Sequence, residues 1–275
     1  MWGHGSNREG SATKLNTKDD VTTAWIRRYR PSATSTTRLV CFPHAGGSAS
    51  FFHPLAPRFS PDTDVVSLQY PGRQDRRHEP CVEDIETLAD LLTDEIAALS
   101  GKPTVFFGHS MGAVLAFETA YRLEQRGART PHAVIASGRR GPATRRDEEV
   151  HKRDDNGIIS ELRELNGTDT AVFGDEELLR MAMPAIRNDY RAIEAYACDP
   201  DRRVSSPIVA LTGTEDPKTT LEEANAWKQH TDGGFRLREF PGGHFFLTDH
   251  QTEVNLEIEA ELAAARTRSE EARHG

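Results

Sequence analysis

The sequence predicts an α/β protein with a mostly parallel central sheet and helices on both faces, and three observations predict it. Short β-type runs alternate with helical patterns along most of the 275 residues, as expected when crossover helices join parallel strands. A Gly-x-Ser-x-Gly turn stands between one such run and the helix that follows. Late in the chain, a long segment with helical periodicity and no strand interrupts the alternation.

Residues 1–20 are rich in Gly, Ser, Asn, Thr and charge without periodicity and read as a flexible tail. From 21 to 275 a single domain is expected. Its strands are read at 38–42, 64–69, 104–107, 133–137, 207–212 and 235–240, where β-branched and aromatic residues cluster. Between the second and third strands, Val82, Ile85, Leu88, Leu92, Ile96 and Leu99 recur at three- and four-residue steps, the apolar stripe of an amphipathic helix. Further helices are expected at 111–125, 221–230 and 253–266. The interruption, at about 139–205, carries helical patterns at 158–165 and 176–196; it is too long for an ordinary strand-to-helix connection and too patterned for a loop, so it reads as an inserted helical lid.

Charge and composition exclude several classes. With 34 Lys and Arg against 43 Asp and Glu the net charge is -9, which argues against nucleic acid as the main partner, since affinity for phosphates comes from clustered cations. No run approaches the roughly 18 apolar residues that cross a bilayer. The first twenty residues lack an apolar signal segment, so a cytoplasmic protein is expected. Cys41, Cys81 and Cys198 are odd in number and far apart; they read as packed thiols rather than a disulfide or zinc set. No HExxH spacing occurs, and neither metal nor cofactor is implied.

The strand at 104–107 runs into Gly108, His109, Ser110, Met111 and Gly112. Glycines on either side of a serine between strand and helix permit the tight turn that lifts a nucleophile above a sheet, and this places the chain in the α/β-hydrolase fold. A serine hydroxyl needs a base, and the base an orienting carboxylate; in this fold they follow in the order Ser, acid, His. His244 lies just after the last strand in the turn Pro241-Gly242-Gly243-His244. The acid belongs on the loop after the strand at 207–212, which offers Glu215 and Asp216. Asp216 is favoured because Pro217 restricts it to extended backbone, with Glu215 as the competitor. For the oxyanion, the amide of Met111 supplies one donor and that of Ala45, in Pro43-His44-Ala45-Gly46-Gly47-Ser48, the other. His44 and His109 read as walls of the site.

With these residues in place the chain resembles the stand-alone type II thioesterases of polyketide and nonribosomal peptide synthesis from about Arg38 to Leu247. Residues 41–47 look like that family's oxyanion loop, Gln69-Tyr70-Pro71-Gly72-Arg73 like the loop beside its active-site entrance, 108–112 like its elbow, 241–247 like its histidine turn, and Arg187-Asn188-Asp189-Tyr190 like its lid pattern. The resemblance implies hydrolysis of stalled acyl groups from the phosphopantetheine arm of an acyl or peptidyl carrier protein. Substrate contacts are then expected from Gln69, Tyr70 and the lid residues Met181, Met183 and Ile186. Arg73, Arg139 and Arg140 are candidates for docking an acidic carrier. A monomer is expected. A carboxylesterase or lipase, which uses the same triad on oxygen esters, and a non-catalytic carrier-binding module are the rival readings.

Overall fold

The computed structural model describes residues 23–99, 101–165 and 176–274; the tail read at 1–20 lies outside them. Seven strands form one sheet: β1 (Ile26–Arg27), β2 (Thr37–Phe42), β3 (Thr63–Leu68), β4 (Thr104–His109), β5 (Ala133–Ser137), β6 (Ile208–Gly213) and β7 (Phe235–Phe240). Their order is β1-β3-β2-β4-β5-β6-β7. β1 runs antiparallel to β3, pairing Ile26 with Leu68, and the other neighbours are parallel. The six strands read from the sequence are all present within two residues of their expected bounds. β1 escaped that reading because two residues are too few to show alternation.

Helices α1 (Leu55–Phe59), α2 (Ile85–Ala97), α3 (Met111–Gln125), α4 (Asp155–Leu165), α5 (Glu176–Ala195), α6 (Leu221–Asn225), α7 (Phe246–Asp249) and α8 (Gln251–His274) complete the described secondary structure, with short 3-10 turns. The helix expected at 221–230 is split, α6 passing into a 3-10 turn at Ala226–His230. The last helix continues past 266 to His274.

Strand alternation divides the core in two. Val40, Phe42, Phe106, Val134 and Ala136 face one side with Leu88, Leu92, Val114 and Phe117 of α2 and α3. Leu39, Cys41, Val105, Phe107 and Ile135 face the other with Val254, Ile258 and Leu262 of α8. Both faces are covered, which is why these strands read as nearly continuous apolar runs. A smaller third cluster, including Ile158, Leu162, Met183 and Ile186, joins α4 to α5. These two helices occupy the stretch between β5 and β6.

The chain passes from β2 to β3 on one side and then returns to β4 on the other side of β2. Strand order therefore reverses between β2 and β4, and a crevice forms beyond the carboxyl ends of strands at such a point. Phe42 of β2 pairs with Gly108 of β4 at that end, so the loop after β2 and the turn after β4 emerge side by side.

Candidate active site

Ser110 sits between β4 and α3 with φ +55° and ψ -117°, a sparsely populated conformation for a residue with a side chain. Its neighbours explain why only glycine serves beside it. A Cβ on Gly108 would lie 2.1 Å from the Gly112 carbonyl oxygen, and one on Gly112 would lie 2.0 Å from that of Phe42. The turn is fixed by the Ser110 amide donating to the Ser137 carbonyl (2.8 Å). Ser110 and His244 line one cavity of about 290 Å³.

His244 is buried in the turn after β7, and its Nδ1 lies 3.0 and 2.9 Å from the two carboxylate oxygens of Asp216. A carboxylate only accepts, so Nδ1 carries the proton and Nε2 keeps the basic lone pair. Asp216 is held in turn by the Lys218 amide (2.8 Å). Of the two adjacent carboxylates, then, Asp216 meets the imidazole; Glu215 is exposed, and its amide donates to Gly242 (2.9 Å). His109 stands 5.0 Å from His244 ring to ring, its Nδ1 against Ser137 Oγ (3.0 Å). Burial, then the nearby His244, push the pKa of His109 well down; the same causes, with Arg73, bring His44 to about 3. Both walls are thus neutral imidazoles.

The loop after β2 is braced from below and above. Gln69 accepts from the Ala49 amide (2.9 Å) and donates to the Arg73 carbonyl (3.3 Å). The Tyr70 hydroxyl donates to the Pro43 carbonyl (3.3 Å). Asp189 of α5 accepts from the Gly46 amide (2.8 Å) and from both terminal nitrogens of Arg73 (2.6 and 3.0 Å), while Arg73 also donates to the Gly47 carbonyl (3.2 Å). A helix between β5 and β6 is thereby tied to the loop beside Ser110. Ala45 and Gly46 line the cavity, and Met111 is the buried first residue of α3, where an amide has no partner within its helix.

The thioesterase domain family matches residues 37–262. The chain belongs to that family. It is 64% identical over 244 residues to the probable cadicidin biosynthesis thioesterase of Streptomyces griseus, covering 89% of this chain and 67% of that protein. Thioesterase PikA5 of Streptomyces venezuelae is 46% identical, covering 88% of this chain and 86% of the relative. Among solved structures, the type II thioesterase BorB from the borrelidin biosynthetic cluster superposes with a TM-score of 0.84 at 48% identity, covering 88% of this chain and 99% of that one. A lipase-esterase related protein from Clostridium acetobutylicum, at 15% identity and a TM-score of 0.69, shares the fold. The resemblance to type II thioesterases of polyketide and nonribosomal peptide pathways is borne out, as is the α/β-hydrolase fold.

Several residues expected to touch substrate or carrier stand elsewhere in this thioesterase. Gln69 and Tyr70 are fully buried and support the loop. Met181 is 66% exposed on the outer face of α5, and Met183 is buried in the α4–α5 cluster; among the three, Ile186 borders the cavity. Helical geometry is the reason: Met183 and Ile186 are three residues apart on one face, whereas Met181 is turned about 200° from Met183. Leu179 and Ile193, which the apolar stripe of α5 also offers as acyl lining, do border the cavity with Ile186, and Leu162, Leu165 and Phe245 join them. Leu162 and Leu165 were detectable as part of the apolar stripe of α4, yet nothing local marked that stripe as facing a site.

Two of the three arginines expected to dock a carrier, Arg73 and Arg140, are buried in ion pairs. Arg73 is buried against Asp189, because its charge is satisfied inside the protein. Arg140 is buried, paired with Glu148 (2.7 Å). Burial alone would raise Glu148, but Arg140 and Lys218 outweigh it and hold that carboxyl at about 2. Arg139 is half-buried and lines the cavity.

Proposed function

We propose that this thioesterase hydrolyses acyl groups from the phosphopantetheine arm of acyl or peptidyl carrier proteins, clearing stalled units from an assembly line. The observation that carries this reading is a strained serine and a carboxylate-oriented histidine opening on one largely apolar cavity, in a chain whose relatives are biosynthetic thioesterases. In the reaction, Ser110 Oγ attacks the thioester carbonyl while His244 Nε2 takes its proton. Asp216 keeps the imidazole in the required tautomer and stabilises the imidazolium. The amides of Met111 and Ala45 receive the oxyanion, where preorganised donors act most strongly.

Collapse of the intermediate breaks the C–S bond, and His244 returns its proton to the departing thiol. Water then attacks the acyl-enzyme with His244 again as base, releasing the acid and restoring Ser110. The neutral His44 and His109 beside His244 let it accept this proton without cationic neighbours in the ring cluster. Cavity walls of Leu162, Leu179 and Ile186 exclude water from the acyl chain and supply little directional recognition, which suits a tolerant editing enzyme.

Intact-mass analysis of acyl-loaded carrier protein tests this. The wild-type enzyme should return the carrier to its free-thiol mass and show a transient acyl adduct at Ser110, and Ser110→Ala should do neither. Faster cleavage of an oxygen ester than of the thioester with the same acyl group would favour the esterase reading; no cleavage and tight carrier binding would favour the binding module.

A further inference from the structure

We propose that Arg139 is an anion subsite of the catalytic cavity, receiving an oxyanion carried by the substrate, either the phosphodiester of the pantetheine arm or a carboxylate on the acyl group. The proposal rests on the thioester-hydrolase reading above and adds a recognition element to it.

Position is the first argument. Ser137, whose carbonyl holds the Ser110 amide, is followed by Gly138 with φ +61°, where a Cβ would lie 2.5 Å from the His109 ring. This tight packing brings the chain past the elbow, and Arg139 follows as part of the same cavity wall as Ser110 and His244. Its carbonyl is fixed by the Trp227 indole N–H (2.7 Å), so the side chain projects from an anchored backbone.

Pairing is the second. The other buried and half-buried cations around this end of the cavity are engaged, Arg140 with Glu148 (2.7 Å), Arg146 with Glu223 (2.5 Å), and Lys218 with Glu148 (3.1 Å) and with Glu161, whereas Arg145 is exposed to solvent. The carboxylates that line the cavity are engaged too, Glu148 as stated and Glu194 by His151 and the Val150 amide (2.9 Å). Among the described residues the Arg139 guanidinium has neither an ion pair nor a hydrogen bond. A half-buried cation without a partner carries a desolvation cost; burial, with Arg140 alongside, draws its pKa down to about 9. A planar guanidinium in that state fits the two oxygens of a carboxylate or phosphate.

A second cavity of about 410 Å³ shares Arg139, Ile193 and Glu194 with the first and is also lined by Arg140, Arg145 and Arg146. Arg139 therefore stands at the partition between an apolar chamber and an arginine-lined one. A neutral acyl chain needs no cation at that place, whereas an anion crossing the partition does.

The test compares propionyl-pantetheine, propionyl-phosphopantetheine and methylmalonyl-pantetheine as substrates for wild-type enzyme, Arg139→Gln and Arg139→Lys. A charge-assisted contact of this kind predicts that Arg139→Gln lowers kcat/KM for an anionic substrate relative to propionyl-pantetheine by about tenfold, mainly through KM. Arg139→Lys should recover part of that ratio. A fall confined to the phosphorylated arm assigns the phosphate, and one confined to the methylmalonyl group assigns the carboxylate. Ratios unchanged for both anions, whether all rates drop together or none does, overturn the subsite. If the wild-type enzyme cleaves no thioester at all, the underlying functional reading fails instead. Circular dichroism and the melting temperature of each variant identify a folding defect, and the within-enzyme ratio is insensitive to the fraction of enzyme folded.

Discussion

At the scale of single residues, the site divides into groups whose local sequence announces them and groups defined by distant partners. Ser110 and His244 belong to the first kind, because a glycine-flanked turn constrains its own backbone within a few residues. The restriction that Pro217 places on its backbone favours Asp216 over Glu215, and the imidazole contact falls on Asp216. Asp216→Asn should therefore lower kcat by about 10³–10⁴-fold, since the amide can donate to Nδ1 and so favour the wrong tautomer. Glu215→Gln should stay within about twofold, as expected of an exposed side chain outside the site; steady-state hydrolysis of a small acyl-pantetheine measures both. Gly112→Ala should lose soluble folded protein or nearly all turnover, because its Cβ would lie 2.0 Å from the Phe42 carbonyl oxygen. Arg73 is of the second kind. Nothing in Gln69 to Arg73 signals that its partner is Asp189, 116 residues further on, so a buried brace reads in sequence like a surface charge.

Among elements, the strands were legible because both faces of the sheet are covered, and α3 was legible to the residue because the elbow fixes its start. What the sequence did not convey was how α5 meets the body. Asp189 joins Arg73 to the Gly46 amide, Asn188 donates to the Val82 carbonyl (2.6 Å), and Ile186 packs where a Cβ on Gly46 would come within 2.5 Å. One turn of helix therefore holds the loop that carries Ala45. Asp189→Ala leaves Arg73 buried and unpaired, and removing one partner of such a pair costs about 3–5 kcal/mol of stability. It should also lower kcat more than KM, because the loop loses the acceptor that fixes the Gly46 amide. Arg73→Gln combined with Asp189→Asn removes both charges. Urea unfolding should show the double variant more stable than Asp189→Ala, while the kcat defect persists in part. Recovery of kcat in step with stability would mean that the clamp serves folding alone.

For the whole molecule, the buried histidines set how stability depends on pH. His44 is brought to about 3 and His109 well below its ordinary value, burial being the first cause for both; His132 and His230 are lowered for the same reason. In the unfolded chain a histidine titrates near 6.5, so below that pH the unfolded state binds protons that the native state refuses. The stability due to a depressed group is complete above its unfolded pKa and is lost as pH falls toward the folded value. For His44 that window runs from about 6.5 down to about 3. Within it each such histidine contributes a slope of up to about 1.4 kcal/mol per pH unit, so His44 alone should remove roughly 1.6 kcal/mol between pH 6.5 and 5, where the unfolded imidazole passes from half to almost fully protonated, and His109 adds to the fall in the same direction. Three buried ring nitrogens without hydrogen-bond partners among the described residues, Nδ1 of His44, Nε2 of His109 and Nε2 of His132, leave an added proton nothing to bind. Urea denaturation at pH 7, 6 and 5 should show this fall, and His44→Gln should flatten the slope by close to one proton, so that its stability relative to wild type shifts in the variant's favour from pH 7 to pH 5. A parallel offset of the variant at all three pH values would place the acid sensitivity in the carboxylates instead of in the imidazole cluster around His244.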